Sequence, residues 1–126
     1  MRFLLSSRDQ VLDIHAENGE VTVQRCFAHP AGQNIKCLAA NADRTQLLAG
    51  YFPGGVFRSL DGGAHWTDVS ADLPLDRVVS AAIDPADLDR LYVGTNPAAI
   101  FASDDGGRSW RELPYQFPAV NHLLIA

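Results

Sequence analysis

LLAGYFPGGVFRSLDGGAHW (Leu47 to Trp66) and LYVGTNPAAIFASDDGGRSW (Leu91 to Trp110) superimpose without a gap at an offset of 44 residues and agree at 9 of 20 positions. Ordinary residue frequencies give about one or two matches by chance. A period of this size in a strand-like sequence marks a β-propeller or similar array, in which a four-stranded unit cannot bury its own faces and must stack on its neighbours. The expected fold class is therefore all-β, built from four-stranded antiparallel meanders.

Each copy has an eight-residue core, SLDGGAHW (Ser59 to Trp66) and SDDGGRSW (Ser103 to Trp110). Asp61 and Asp105 are placed to accept hydrogen bonds from backbone N–H groups of the following turn, as Asx side chains do. Gly62, Gly63, Gly106 and Gly107 permit the positive φ that a tight strand-to-strand turn requires. Trp66 and Trp110 open the next strand and can lay an indole over the loop, burying about 150–250 Å² each.

These cores resemble the Asp-box, or BNR repeat, S-x-D-x-G-x-[ST]-W of sialidase-like β-propellers, within the wider WD40-YVTN-BNR-like repeat superfamily. Ser103, Asp105, Gly107, Ser109 and Trp110 match it fully. Ser59, Asp61, Gly63 and Trp66 match in the first copy, where His65 stands in place of Ser or Thr. The resemblance implies that the box is structural, on the hairpin between the third and fourth strands of a blade and on the face away from a ligand site.

Outward from the boxes, Val78 to Ile83, Arg90 to Gly94, Ala99 to Ala102 and Trp110 to Leu113 read as one complete blade. One period earlier, Ile35 to Ala40, Gln46 to Gly50, Gly55 to Arg58 and Trp66 to Val69 read as another. Ile35, Leu38, Ala39 and Ala42 share a helical face, but the equivalent segment with Val78, Val79 and Pro85 reads as strand and outweighs it. Before Ile35 there is room for strands near Phe3 to Ser6, Gln10 to His15 and Val21 to Phe27, with an Asn-Gly turn in Glu17 to Glu20 where a box would fall. After the last box, FPAVNHLLIA (Phe117 to Ala126) follows LPLDRVVSAA (Leu73 to Ala82) at the same offset. The expected division is a first blade of residues 1–31 completed by 117–126, a second of 32–74 and a third of 75–116. Three blades are too few for a closed ring, which typically needs about four to eight. Two chains related by a two-fold axis would give six, with Ala119 to Ala126 of one completing the first blade of the other and pairing near Phe3 to Ser6. The competing expectation is a piece of a longer propeller whose further blades lie elsewhere.

Composition narrows the function classes. The chain has 126 residues, with 10 Lys plus Arg against 15 Asp plus Glu. No basic stripe tracks a phosphate backbone, so nucleic acid is not an expected partner. No stretch approaches the roughly 18 apolar residues of a membrane helix, and the N-terminal apolar run is too short for a signal peptide, so the expectation is a cytoplasmic protein. Cys26 and Cys37 read as small buried hydrophobes kept reduced rather than as a disulfide. His15, His29, His65 and His122 have no metal-ligand spacing, and no nucleotide or dinucleotide fingerprint is present, so neither a metal nor a cofactor is expected.

No catalytic residue is singled out. A sialidase needs an arginine cluster, a Tyr and Glu nucleophile pair and an acid Asp. The arginines here, Arg58 among them, read as solvated charges scattered over turns and strand ends. Asp76, Asp84, Asp87 and Asp89 offer carboxylates for glycoside hydrolysis, but turns are rich in Asp for conformational reasons. Opposite the boxes, the loops place Tyr51, Phe52, Asn96, Asp76, Arg77 and Tyr115 on a candidate binding face, with the alternative that the aromatics only cover the blade edge. The favoured function is a non-catalytic scaffold binding a protein or glycan partner. The alternatives are a glycosidase completed by other blades and a self-assembling repeat protein.

Overall fold

The structure, a computed structural model, describes residues 1–115 together with Ala119, Val120 and Leu123. Its regular elements are all strands, in three antiparallel sheets. The first sheet holds β1 (Arg2–Ser7), β2 (Gln10–Glu17) and β3 (Glu20–Ala28) in that order. The second is a meander of β4 (Ile35–Ala40), β5 (Leu47–Tyr51), β6 (Gly55–Ser59) and β7 (Thr67–Asp68). The third repeats it with β8 (Val78–Ile83), β9 (Leu91–Thr95), β10 (Ala99–Ser103) and β11 (Arg111–Glu112). These sheets are propeller blades, numbered 1 to 3 below. The segment with a partial helical period is strand β4, because its apolar residues pack against blades on both sides.

The fourth strands are shorter than the sequence suggests. Trp66 and Trp110 stand just outside β7 and β11, each turned from the ladder toward the preceding blade. The blade 1 hairpin closes as expected, with Glu17 opposite Glu20 and positive φ at Asn18 (52°) and Gly19 (79°). That left-handed pair matches the twist of the two strands.

Stacking builds the core. Leu48, Val56, Val78, Leu91, Val93 and Phe101 form one buried cluster between blades 2 and 3. Ala49, Tyr51 and Phe57 form another toward blade 1, with Phe27 and Trp66 packed against it. Every residue of β5 is buried, because successive side chains point to opposite faces and a blade covers each face. The blades meet so closely that a Cβ on Gly50 would lie 2.7 Å from Val78 Cγ1 of blade 3. A Cβ on Gly94 would lie 2.3 Å from Val120 Cγ1, so Val120 takes on blade 3 the place that Val78 takes on blade 2, two residues ahead of the expected register, which sets Val120 on Asp76. The expected completion of blade 1 by residues 117–126 lies outside the described residues apart from Ala119, Val120 and Leu123.

Candidate functional site

The two eight-residue turns occupy one end of the blades and are braced alike. Ser59 Oγ accepts from the Gly63 N–H at 2.9 Å and donates to Asp61 Oδ1 at 2.9 Å. The same Oδ1 accepts the His65 N–H at 2.9 Å. In blade 3, Ser103, Gly107, Asp105 and the Ser109 N–H reproduce this at 2.8–2.9 Å. The fourth contact accounts for His65. Ser109 Oγ donates to Asp105 Oδ2 at 2.6 Å, and His65 Nδ1 occupies that place on Asp61 Oδ2. Hydrogen bonds to the charged form hold both carboxyls down. The His65 N–H and ring bring Asp61 to about 2, and the Ser109 hydroxyl and N–H bring Asp105 to about 2.

The tryptophans join one blade to the one before. The Trp66 ring stacks on Phe27 at 5.1 Å, and its Nε1 donates to the Gly63 carbonyl at 2.8 Å. Trp110 reaches farther: Nε1 donates to the Val69 carbonyl of blade 2 at 2.8 Å, and Asp72 Oδ2 accepts its N–H at 2.8 Å. Arg58 does not read out as a solvated charge. Its side chain is only 11% exposed, and its guanidinium donates to the Gln46 amide, the Leu88 and Gly106 carbonyls and Asp89 at 3.0–3.3 Å. It ties blade 2 to blade 3, and the signal in the sequence was its place inside the apolar strand GVFRS. Beside it a groove of about 440 Å³ runs between the two turns, past Leu60, His65, Val69 and Arg108. The sequence reading had not anticipated it.

At the opposite end, the structure brings Phe52, Asp76, Arg77 and Asn96 together. The Asp76 carbonyl accepts the Gly54 and Gly55 N–H groups at 3.0 Å each, and the Arg77 carbonyl accepts the Asn96 N–H at 3.0 Å. The Arg77 guanidinium carbon stands 5.6 Å from the Phe52 ring centroid, within cation–π range. Asp76, Arg77 and Asn96 are exposed and Phe52 is half-buried. The Phe52-Pro53 and Asn96-Pro97 bonds are both cis. Tyr115 is 70% exposed and follows β11 at the same end of blade 3.

Tyr51 does not belong to this face. Its ring is fully buried, edge-on to His29 at 4.6 Å and to Phe57 at 5.6 Å, and burial pushes its phenol up. As the last residue of β5 it alternates with Gly50, so its side chain enters the layer between blades 1 and 2. Of the candidate glycosidase carboxylates, three share one turn and Asp76 stands apart. Asp84 accepts the Ala86 N–H at 2.8 Å, Asp87 accepts the Asp89 N–H at 3.1 Å, and Asp89 meets Arg58, all in the β8–β9 turn. Asp76 lies at the other end of β8, roughly 25 Å away at about 3.3 Å per residue. A glycosidase pair needs about 5–10 Å. Among the described residues no group of three or more His, Cys, Asp or Glu is placed to hold a metal, and no helix is long and apolar enough to cross a membrane.

No protein-family model matches the sequence, and no curated protein sequence matches it. Solved structures do match. The chain is similar to YCF48 bound to D1 peptide, with TM-score 0.69 and 13% identity over 88% of this chain and 36% of that one. It is similar to YCF48 from Cyanidioschyzon merolae, with TM-score 0.66 and 20% identity over 89% of this chain and 33% of the other. The GH74 xyloglucanase from Xanthomonas campestris gives TM-score 0.59 and 22% identity over 87% of this chain and 20% of the enzyme. The chain thus shares its β-propeller fold with them and spans about a third of the YCF48 chains and a fifth of the xyloglucanase.

Proposed function

We propose that this chain is a non-catalytic β-propeller module of the BNR, or Asp-box, kind that binds a protein partner through the loop end of its blades. The observation that carries the reading is the Phe52–Arg77 pair, flanked by Asp76 and Asn96 and fixed by backbone hydrogen bonds. A braced ring with a planar cation over it gives a peptide both an apolar contact and a donor for its carbonyl or carboxylate groups. The likeness to a propeller solved with a bound peptide is in keeping with a protein ligand. The turn carboxylates support a scaffold role, because Asp61 and Asp105 spend their acceptors on their own turns. Free thiols at Cys26 and Cys37 fit a reducing compartment such as the cytoplasm.

The test is selection from a displayed peptide library, followed by titration of the enriched peptides and, separately, of xyloglucan oligosaccharide. Peptides should be enriched, and Phe52→Ala with Arg77→Glu should weaken their binding at least tenfold with the fold intact by circular dichroism. Hydrolysis of xyloglucan without peptide enrichment would establish the glycosidase reading instead.

A further inference from the structure

Three turns place an amide or acid side chain directly before a glycine: Asn18-Gly19, Asp61-Gly62 and Asp105-Gly106. Such a pair can close on itself. The glycine nitrogen attacks the side-chain carbonyl carbon, and a five-membered succinimide forms where that nitrogen is free and the side chain carries a leaving group. Glycine favours the step because no Cβ shields its nitrogen.

Both Asp-Gly turns are closed to it. The Gly62 N–H donates to the Thr45 carbonyl and the Gly106 N–H to the Asp89 carbonyl, each at 2.9 Å. The attacking nitrogen is therefore tied down in both. The Asp61 and Asp105 side chains are held in turn by their own backbone and by His65 and Ser109. At about 2 they are carboxylates at neutral pH, and a charged carboxylate resists a nucleophile and lacks a good leaving group.

The blade 1 turn has none of these locks. Asn18 and Gly19 are both exposed. Neither the Asn18 side chain nor the Gly19 N–H has a hydrogen-bond partner among the described residues. A Cβ on Gly19 would meet nothing within 4 Å, so the turn has room to rearrange. The Asn18 side chain is an uncharged amide with ammonia to release.

We propose that Asn18 is a modification site, where the folded chain deamidates spontaneously while both turn aspartates stay intact. The Gly19 nitrogen bonds to the Asn18 side-chain carbon and gives up its proton, and ammonia leaves. Water then opens the ring at either carbonyl, to give aspartate or isoaspartate. Either product adds one negative charge to a chain of net charge −5. Isoaspartate also routes the main chain through the former side chain. It lengthens by one carbon a two-residue turn that sets β2 against β3, so this end of the hairpin loosens.

Incubation of the folded chain at mildly alkaline pH, followed by peptide mapping, tests this. The peptide holding Asn18 should gain the mass of an amide turned acid at least tenfold faster than those holding Asn34, Asn41 or Asn96, which precede Ile, Ala and Pro. Its isoaspartate should accept a methyl group from S-adenosylmethionine when an isoaspartyl methyltransferase is added. Asn18→Gln should lose both signals, because its ring would need six members. At mildly acidic pH, Asp61 and Asp105 should stay intact in the folded chain and form isoaspartate in denaturant. An Asn18 that keeps its amide in the folded chain overturns the proposal, and conversion only in denaturant would place the protection in the turn itself. Isoaspartate at Asp61 or Asp105 in the folded chain, formed as fast as at Asn18, overturns it as well.

Discussion

Blades 1 and 2 are neighbours with nearly opposite surroundings. In blade 2 every β5 side chain is buried, and in blade 1 the equivalent strand β1 is exposed at five of its six positions. Strand length and alternation do not explain this, since Phe3 and Leu5 are as apolar as Leu47 and Ala49. The difference lies in what stands next to each blade. A propeller blade borrows its interior from its neighbours, so its stability is close to a sum of stacking interfaces.

The largest test of that contrast is truncation. Leu48→Ala and Val93→Ala, both fully buried between blades 2 and 3, should each cost about 2–5 kcal/mol in denaturant unfolding, because a cavity opens between two layers. Leu5→Ala in the dilute, unassociated chain should fall within about 0.5 kcal/mol. Equal costs in the dilute chain would erase the distinction.

Overpacking the layer between blades is the next smaller effect. Gly50→Ala places a methyl against Cys37 Sγ and Val78 Cγ1, and should destabilise by about 1–3 kcal/mol. A stability unchanged in calorimetry would mean that the blades are not held at this spacing.

The smallest effect concerns the turns and sharpens the comparison by pH. Asp61 and Asp105 lie at about 2 when folded, below the ordinary 3.8. A carboxyl lowered on folding contributes stability above its unfolded value and loses that contribution as pH falls from about 4 toward 2. Amides of Gly63, His65, Gly107 and Ser109 should therefore exchange faster over this window. The Asn18–Gly19 turn of blade 1 closes through backbone geometry, with no carboxylate brace of this kind, and should change less. Asp105→Ala should lower the melting temperature by several degrees at pH 7 and flatten its acid dependence. A wild-type profile flat between pH 4 and 2 would remove the braces from the account.

Residue pattern alone determined a good deal. The 44-residue register set three units of antiparallel strand, the Asn-Gly turn and the two Ser-x-Asp turns, because each is a local matter of alternation, left-handed φ and a carboxylate within reach of its own backbone. Phe52, Asp76, Arg77 and Asn96 were legible as one face because a meander sends alternate turns to opposite ends. Tyr51 and Arg58 were misread, since a ring in a Gly/Pro-rich loop and an arginine at a strand end look exposed until another blade is laid over them. Tertiary structure alone decided that Tyr51 is core, that Arg58 is a tie between blades, and that Val120 repeats the place of Val78. Alternation tells which side of a strand a residue takes, but burial in a stacked array is set by residues about 40 positions away or on another chain, and no local pattern carries that distance.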